Sequence, residues 1–389
     1  MRNITVAHDC YNTPVTRRGW KAPGMFDGQQ PAALLSKLCQ WRSGNEWRMN
    51  GIRTTGTPGA IAVAGAGSIG CFVGGMLAAG DRRVTLLARP RVIGEIETCG
   101  LRLTSFEGAD QIIAAGRFAL SDDPSILGDA SVVLVTVKSA DTADMADIIA
   151  RHAPPDAVVV SLQNGIGNAA VLRSRLPGRR VLGGMVPFNV VAAGQGRFHR
   201  ATSGDIVVEQ DEAHTADRLS VAGLKIRSTD NIEGVQWGKL LVNLNNALNA
   251  LGDLPLRRQL AQRSWRRLFA DQMAEGLAAI RAEGNRPVSP TPIPAGWMPP
   301  LLRLPDAIFE ALLGRTMKID PEVRSSMWED LQRGRRTEID YLQGVITGIA
   351  ARRGLDVPVS RRIVELIRRA ELENEGSPGL TPEQIRATD

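Results

Sequence analysis

The stretch Ala60-Ile-Ala-Val-Ala-Gly-Ala-Gly-Ser-Ile-Gly70 carries the pattern from which the fold can be predicted. Its first five residues form an apolar run of strand length. Glycines then recur as G-x-G-x-x-G before a helical segment that ends near Gly80. In this context Gly65 permits a tight turn, Gly67 lets the backbone approach a pyrophosphate, and Gly70 lets the helix pack on the strand. The cofactor contacts predicted from this loop are Gly65, Ala66, Gly67, Ser68, Ile69 and Gly70.

Buried strands and helical stretches alternate after this loop. Strands are predicted at residues 83–89, 130–137 and 157–162, with helical sequence between them. This alternation is typical of a doubly wound parallel sheet, because each parallel crossover needs a connecting helix. The segment 197–208 is predicted to add an antiparallel strand at the edge of the sheet. Residues 58–230 are therefore predicted to form a nucleotide-binding Rossmann domain.

Helical patterns replace the strand signals after residue 231. The predicted helices cover residues 235–251, 258–283, 307–317, 326–332, 337–353 and 360–374. A proline-rich stretch, 287–305, interrupts them and is predicted to be an extended loop. The fold class predicted is α/β, with an N-terminal Rossmann doubly wound parallel sheet followed by an all-α C-terminal domain. The second domain, residues 231–375, is predicted to bind the substrate, and residues 376–389 are assigned to a tail.

Residues 1–57 differ in character from the rest of the chain. They contain three tryptophans and turn-rich runs but show no sustained period of two or 3.6 residues. We interpret them as an irregular or disordered extension. One hypothesis is that Met49 is the native start, because the first predicted strand begins shortly after it. Detection of peptides from residues 1–48 by mass spectrometry of the native protein would contradict this hypothesis.

The bulk composition excludes several classes of protein. Hydrophobic residues make up 43% of the 389 and charged residues 23%, which is typical of a soluble globular protein. The net charge of +6 comes mostly from arginines spread along the chain, and this pattern does not favour nucleic-acid binding. The cysteines and histidines show no metal-ligand spacing, and no apolar run is long enough to span a membrane. We therefore expect a cytoplasmic protein that uses no metal and binds neither nucleic acid nor a membrane.

The end of the second predicted strand favours NADP over NAD. Enzymes that bind NAD usually place an acidic residue there to bind the ribose 2′-hydroxyl, whereas this chain has Arg89 and Arg91. A guanidinium suits a 2′-phosphate because it can form charge-assisted bidentate hydrogen bonds. Arg89 is therefore the predicted contact, and the first domain is predicted to bind NADP. The alternative is that both arginines are ordinary surface residues.

Polar residues also follow two further predicted strands. Lys138 ends the strand at 130–137, and Asn164 follows the strand at 157–162. Ligands of open α/β sheets bind outside the carboxyl ends of the strands, so both residues are candidate cofactor contacts. Each is equally consistent with a loop or capping role.

One predicted helix carries an unusual polar face. At about 100° per residue, Lys239, Asn243 and Asn246 share a narrow strip of an otherwise apolar helix. An amine and amides grouped in this way need hydrogen-bond partners or a ligand, and the alternative is a polar stripe facing water. Ser326 and Glu338 form a second candidate group, for which helix capping and stabilisation of the helix dipole are the alternatives.

In their order along the chain, these residues resemble the ketopantoate reductase family over about residues 61–370. The resemblance rests on the glycine loop, Val135-Thr-Val-Lys138, Gln163-Asn-Gly165, Trp237-Gly-Lys-Leu-Leu-Val-Asn243, and Ser325-Ser-Met to Thr337-Glu-Ile-Asp340. It implies an oxidoreductase that uses NADPH to reduce 2-dehydropantoate, or a closely related 2-keto acid, to the 2-hydroxy acid. That reaction belongs to pantothenate and coenzyme A biosynthesis. A homodimer is a further expectation.

The resemblance also implies roles for the matching residues. Lys239 would donate a proton to the substrate carbonyl, and Asn243 and Ser326 would contact the substrate. This role suits an amine, because an ammonium can neutralise and protonate the alkoxide that hydride transfer leaves. Glu338 would be catalytic as well, and Lys239 is expected to pair with it or with the substrate carboxylate. The residues expected to contact the cofactor or to orient the catalytic groups are Lys138, Asn164 and Glu338.

Two departures from the family pattern concern the substrate. Ala247 occupies the position of the second asparagine of the helix, and Asn246 is expected to replace that asparagine after a one-residue shift. A further substrate asparagine is absent from Gly252-Asp-Leu-Pro-Leu256. Two alternatives therefore stay open, a β-hydroxyacid or opine-type NADP dehydrogenase and a non-catalytic NADPH sensor. The presence of Lys239 with its polar neighbours argues against the sensor, because a binding protein needs no proton donor.

Overall fold

The computed structural model describes residues 59–114, 116–290, 293–311 and 320–387. The extension predicted for residues 1–57, including the hypothesis about Met49, lies outside the described residues. So does most of the C-terminal half of the helix predicted at 307–317. Within the described ranges, no helix is long and apolar enough to cross a membrane.

The strands of the described residues form two sheets. In chain order they are β1 (Ala60–Ala64), β2 (Val84–Leu87), β3 (Leu101–Ser105), β4 (Asp110–Ile113), β5 (Phe118–Ser121), β6 (Ala130–Val135), β7 (Val158–Ser161), β8 (Val181–Met185), β9 (Val190–Ala192), β10 (Arg197–Arg200), β11 (Ile206–Glu209) and β12 (Ile226–Thr229).

The main sheet has the strand order β12-β11-β8-β7-β6-β1-β2-β5. All pairings from β8 to β5 are parallel, whereas β11 runs antiparallel to β8. The central strand β1 lies between β2 and β6, so the chain reverses its direction of travel across the sheet at β1. Dinucleotides bind at such a reversal point, outside the carboxyl ends of the strands. The predicted fold class, a Rossmann sheet followed by an all-α domain, is confirmed.

A second sheet, in the order β4-β3-β10-β9, was not expected from the sequence. Helical sequence was predicted between β2 and β6, but among the described residues of that stretch only 90–99 form an α-helix. The hairpin of β3 and β4 follows, and β10 joins β3 in parallel. The predicted edge segment at 197–208 is thus divided, with β10 in the small sheet and β11 beginning the antiparallel addition. The division depends on a pairing between strands almost a hundred residues apart, which local periodicity cannot indicate.

The helices of the described residues pack on both faces of the main sheet and then form the second domain. In chain order they are α1 (Ser68–Ala79), α2 (Pro90–Cys99), α3 (Thr142–His152), α4 (Asn168–Arg175), α5 (Thr215–Leu219), α6 (Ile232–Asn243), α7 (Asn245–Gly252), α8 (Leu256–Ala261), α9 (Arg263–Ala282), α10 (Met298–Leu302), α11 (Asp306–Phe309), α12 (Ser326–Gln332), α13 (Gln343–Arg353), α14 (Pro358–Glu373) and α15 (Pro382–Arg386).

The helix predicted at 235–251 is interrupted. α6 ends at Asn243 and α7 begins at Asn245, and between them the carbonyl of Leu244 accepts a hydrogen bond from Gln343 Nε2 at 2.8 Å. The buried side chain of Asn245 bonds in turn to Gln259 on α8. Leu244 itself keeps right-handed helical dihedrals, so the interruption lies in the helix assignment of one residue between Asn243 and Asn246.

The last residues belong to the packed domain, which corrects their assignment to a tail. α15 begins with a capping box formed by Thr381 and Gln384, so its first amides are satisfied. Ile385 is buried in the helical core, and the N–H of Leu380 donates to the carbonyl of Leu251. Residues 380–386 thus cover the end of α7.

A fully buried arginine joins the proline-rich segment to the helical domain. The side chain of Arg266 on α9 is 0% exposed, and its guanidinium stacks 4.1 Å from the ring centre of Phe309. It donates to four backbone carbonyls and one carboxylate, those of Leu260, Ala261, Leu302, Leu304 and Asp306. Because these acceptors come from the end of α8 and from the chain at the C-terminal end of α10, the arginine holds the end of the predicted loop 287–305 in place.

Candidate active site

The glycine loop has the backbone geometry of a phosphate cradle. Gly65 has a φ of 98°, and a Cβ atom there would lie 2.3 Å from the side chain of Val137. A Cβ at Gly70 would lie 2.6 Å from Thr136 Oγ1, whereas a Cβ at Gly67 would meet nothing within 4 Å. The N-terminus of α1 has no side-chain cap. Its amides are therefore available to an anion, and open space beside Gly67 fits a pyrophosphate.

Arg89 lies at the start of α2, immediately beyond β2. Its side chain is 86% exposed, and Nη2 lies 3.5 Å from Asp141 Oδ2. Asp141 follows β6, in the turn that leads into α3. The guanidinium therefore lies at the carboxyl edge of the sheet, where the adenosine half of a dinucleotide would be expected.

Lys138 connects the two domains. Its Nζ donates to Asp330 Oδ2 at 2.7 Å and to the carbonyl of Arg336 at 3.3 Å. The Asp330 side chain, on α12, is only 12% exposed. The signal for its partnership with Lys138 is absent from the sequence, because the two residues are 192 positions apart.

Glu338 and Asn164 meet beside this ion pair. Burial raises the pKa of the Glu338 carboxyl, and this effect is opposed by the charge of Lys138 and by hydrogen bonds from the Ser139 backbone and the Asn164 side chain. Glu338 begins a short 3-10 turn rather than an α-helix. Its carboxylate therefore does not stabilise the dipole of an α-helix, which was the alternative to a role in the site. The structure instead joins a carboxylate of the helical domain to the ends of β6 and β7.

A buried network of polar side chains holds the ends of β6 and β7 together. Gln163 Nε2 donates to Thr142 Oγ1 at 2.7 Å, and Thr142 Oγ1 lies 3.0 Å from Asn168 Oδ1. Asn168 Nδ2 reaches the Ser139 hydroxyl and the carbonyl of Asn164. Since buried polar groups are costly when unpaired, this network restricts the two loops to one arrangement. The network therefore fixes the positions of Lys138 and Asn164, which lie on these two loops.

Lys239 lies in a cavity between α6 and the carboxyl edge of the sheet. The empty space there is about 230 Å³ when the adjoining open solvent is counted, and its lining includes Asn164, Gly165, Met185 and Gln236. Lys239 Nζ donates to the carbonyl of Pro187 at 3.1 Å. Burial lowers the pKa of the amine to about 8. A lysine with this pKa holds and releases a proton near neutral pH, as a general acid must.

The helix that carries Lys239 is held closely on both sides. On the sheet side, a Cβ at Gly183 would lie 3.3 Å from Ile232, so α6 packs tightly on β8. On the opposite side, a Cβ at Gly238 would lie 1.7 Å from the carbonyl oxygen of Val288. The N–H of Val288 also donates to the carbonyl of Gly234 at 2.7 Å. The first part of the proline-rich segment thus supports the back of α6, where only glycine leaves room for it.

The structure separates the predicted substrate residues into two kinds. Asn243 is buried, and its side chain has no hydrogen-bond partner among the described residues, which leaves its amide available to a ligand. Ser326 is exposed at the first turn of α12, whereas its neighbour Ser325 caps that helix by accepting from the N–H of Trp328. The Ser325 hydroxyl also donates to the carbonyl of Asn246. Ser325 is therefore a structural residue that sequence reasoning did not select.

Lys239 and Asn164 both line the cavity. The side chain of Asn164 also forms a hydrogen bond with Glu338, which connects Glu338 to this site. The expected pairing of Lys239 with Glu338 is not observed in the described residues, where Lys239 bonds to Pro187 instead. Arg89 lies apart from this cavity, at the end of β2. One region thus holds a candidate proton donor and another the candidate binding groups for an adenosine ribose.

Comparison with known proteins places this geometry in a family. The protein-family model described as "Ketopantoate reductase PanE/ApbA" matches residues 61–212, and the family model of its C-terminal domain matches residues 231–371. The chain belongs to the ketopantoate reductase family. Its members are oxidoreductases that act on CH–OH groups with a pyridine nucleotide.

Individual relatives agree with this membership. A 2-dehydropantoate 2-reductase of Halobacterium salinarum is 30% identical over 323 residues, which cover 80% of this chain and 98% of the relative. A PanE/ApbA family ketopantoate reductase from Ralstonia eutropha JMP134 has 34% identity and a TM-score of 0.68, covering 81% of this chain and 99% of that one. D-mandelate dehydrogenase in complex with NADH shares the fold, with 22% identity, a TM-score of 0.66, and coverage of 81% and 99%.

Proposed function

We propose that this protein reduces 2-dehydropantoate, or a closely related 2-keto acid, to the 2-hydroxy acid with NADPH. The observation that carries the proposal is the Lys239 amine, which lies in a cavity at the carboxyl edge of the nucleotide-binding sheet and has a pKa of about 8. Family membership and the match to 2-dehydropantoate 2-reductases support the substrate class.

Each candidate residue has a defined task in the proposed reaction. A bound dihydronicotinamide would supply the hydride. Lys239 gives a proton to the substrate carbonyl oxygen as that oxygen gains negative charge, and the amine is left neutral. The carbonyl of Pro187 orients the amine by accepting one of its hydrogens. Asn243 offers its unpaired amide to the substrate, and the exposed hydroxyl of Ser326 is a second candidate contact, with Asn246 a third.

The remaining residues would hold the cofactor and the two domains around it. Residues 65–70 would bind the pyrophosphate through backbone amides. Lys138, Asn164 and Glu338 lie where the two domains meet, and we propose that they bind the nicotinamide half or orient Lys239. Arg89 would bind the 2′-phosphate.

The direct test is NADPH oxidation, followed by absorbance, with a panel of 2-keto acids of different size. We expect 2-dehydropantoate or a near analogue to give the highest kcat/KM, because the cavity is small and its lining is partly polar. A protein that binds NADPH but oxidises it with no member of the panel would contradict the proposal and favour a sensor.

The pH dependence of turnover should follow the Lys239 amine. Reduction needs the ammonium form, so kcat/KM for the keto acid should fall as the pH rises through about 8. Oxidation of the 2-hydroxy acid needs the neutral amine, so its kcat/KM should rise through the same pKa. Steady-state kinetics in both directions from pH 6 to 10 would measure this. Profiles that are flat, or that change in the same direction, would exclude Lys239 as the proton donor.

The cofactor preference should depend on Arg89. We expect NADPH to bind at least about tenfold more tightly than NADH, since one charge-assisted contact contributes roughly 1.5–3 kcal/mol. Arg89→Ala should remove most of this preference, mainly by weakening NADPH binding. Arg91→Ala is the matched control, because Arg91 pairs with Glu95 on its own helix. Equal affinity of the unaltered protein for the two nucleotides would refute the assignment.

A further inference from the structure

An acidic residue faces Arg89 from a different strand. The sequence has no acid at the end of β2, which favoured NADP. The structure nevertheless brings the carboxylate of Asp141 to within 3.5 Å of the Arg89 guanidinium. The acid comes from the turn after β6, so its proximity to Arg89 arises only from the strand order.

The strand order also determines where the pair lies. β2 and β6 are the two neighbours of β1 in the sheet. Arg89 follows β2 and Asp141 follows β6, so their contact lies across the carboxyl end of β1, where the glycine loop begins. A dinucleotide that uses this loop must place its adenosine ribose near the pair. Arg89 and Asp141 therefore meet the same part of the cofactor.

The carboxylate of Asp141 is not used to cap α3. Asp141 is the last residue of the 3-10 turn Ser139–Asp141, which runs directly into this helix. Here its side chain makes no capping hydrogen bond. The carboxylate is directed to Arg89 instead, and with 46% of the side chain exposed it remains accessible to a ligand.

NADPH and NADH differ at the 2′ position of the adenosine ribose, which carries a phosphate in NADPH and a hydroxyl in NADH. A 2′-phosphate dianion is attracted by the guanidinium and repelled by the carboxylate, whereas a 2′-hydroxyl can donate a hydrogen bond to the carboxylate. The ion pair is largely exposed and therefore weak, so a bound phosphate can replace Asp141 as the partner of Arg89. The two residues thus act in opposite directions on the choice of cofactor.

We propose that Asp141 is a cofactor-specificity residue: it competes with the 2′-phosphate for Arg89 and offers its carboxylate to a 2′-hydroxyl, and so limits the preference for NADPH. The proposal rests on the placement of the adenosine ribose in the proposed function, but it does not depend on the identity of the keto acid or on turnover.

Equilibrium binding of NADPH and NADH, measured by nucleotide fluorescence, tests this proposal on the full chain. Asp141→Asn should tighten NADPH about five- to tenfold, as expected for removal of one unfavourable charge near the surface, and should weaken NADH. The gain in NADPH affinity should be smaller in the Arg89→Ala background, because there the phosphate has no guanidinium for which to compete. Asp144→Asn, which removes the same charge from an exposed position one turn later on α3, should change neither affinity by more than about twofold.

The outcomes separate this proposal from the proposed function. If Asp141→Asn changes both affinities in the same direction, or no more than Asp144→Asn does, Asp141 has no role in specificity and the proposal is wrong. Failure of the unaltered enzyme to reduce keto acids would overturn the proposed function, but it would leave the opposite shifts in nucleotide affinity as support for Asp141.

Discussion

Lys239→Met is expected to abolish most of the reductase activity and to make the folded protein more stable at pH 7. The kcat should fall by roughly 10² to 10⁴, the range for loss of a positioned general acid. NADPH affinity should stay within about twofold of the original, because the glycine loop and Arg89 lie apart from Lys239.

The gain in stability follows from the pKa of the amine. Burial lowers this pKa from 10.5 to about 8 in the folded protein, so the folded state binds the proton less tightly than the unfolded chain does. This difference costs stability in full below pH 8, and the cost disappears as the pH rises towards 10.5. Its upper limit is about 3 kcal/mol, and loss of the bond to Pro187 offsets part of the gain. A net increase of about 1–2 kcal/mol in the free energy of unfolding is therefore expected at pH 7.

Urea unfolding at pH 7 and pH 10, together with steady-state kinetics, checks both parts of this prediction. The gain in stability should shrink at pH 10. Lys225→Met is the matched control, because Lys225 is exposed and makes only a long ion pair with Asp205. A Lys239→Met variant that turns over at nearly the original rate would remove the assignment of the proton donor. A variant that loses both activity and stability would indicate a structural role.

Arg266→Met should give the largest loss of stability. The substitution leaves four backbone carbonyls without their donor and removes a buried cation from the ring of Phe309. Loss of one member of such a buried group typically costs about 3–5 kcal/mol. For a protein of this size the melting temperature should fall by about 4–7 °C.

Thermal and urea unfolding of Arg266→Met beside Arg267→Met tests this expectation. Arg267 is the next residue on α9 and is exposed, so its substitution should change the free energy of unfolding by less than about 0.5 kcal/mol. Equal stability of the two variants would show that the carbonyls around Arg266 are satisfied in another way. Lysine at position 266 should not restore stability, because a single ammonium cannot reach the acceptors in α8 and those at the C-terminal end of α10 together.

The strands β1, β2, β6 and β7 and the order of the domains could be predicted because their signals are local, whereas β5, β8 and β12 of the same sheet were not predicted. The apolar run at 60–64 and the glycine spacing after it depend on residues within one strand, one turn and one helix. The candidate residues Lys239, Asn243 and Glu338 were likewise identifiable from short motifs. The small sheet could not be predicted, because β3 and β10 are short and pair across almost a hundred residues.

The sequence alone determined the nucleotide loop, the parallel sheet, the helical second domain and the lysine on its first helix, because each depends on patterns within a few turns of chain. Only the tertiary structure decided which groups surround these residues. It brought Asp330 to Lys138 across 192 positions and Asp141 to Arg89 across the end of β1. It also buried Lys239 deeply enough to lower its pKa. The physical reason is that charge partners and burial depend on how elements pack against one another, whereas periodicity reports only the face that each element buries.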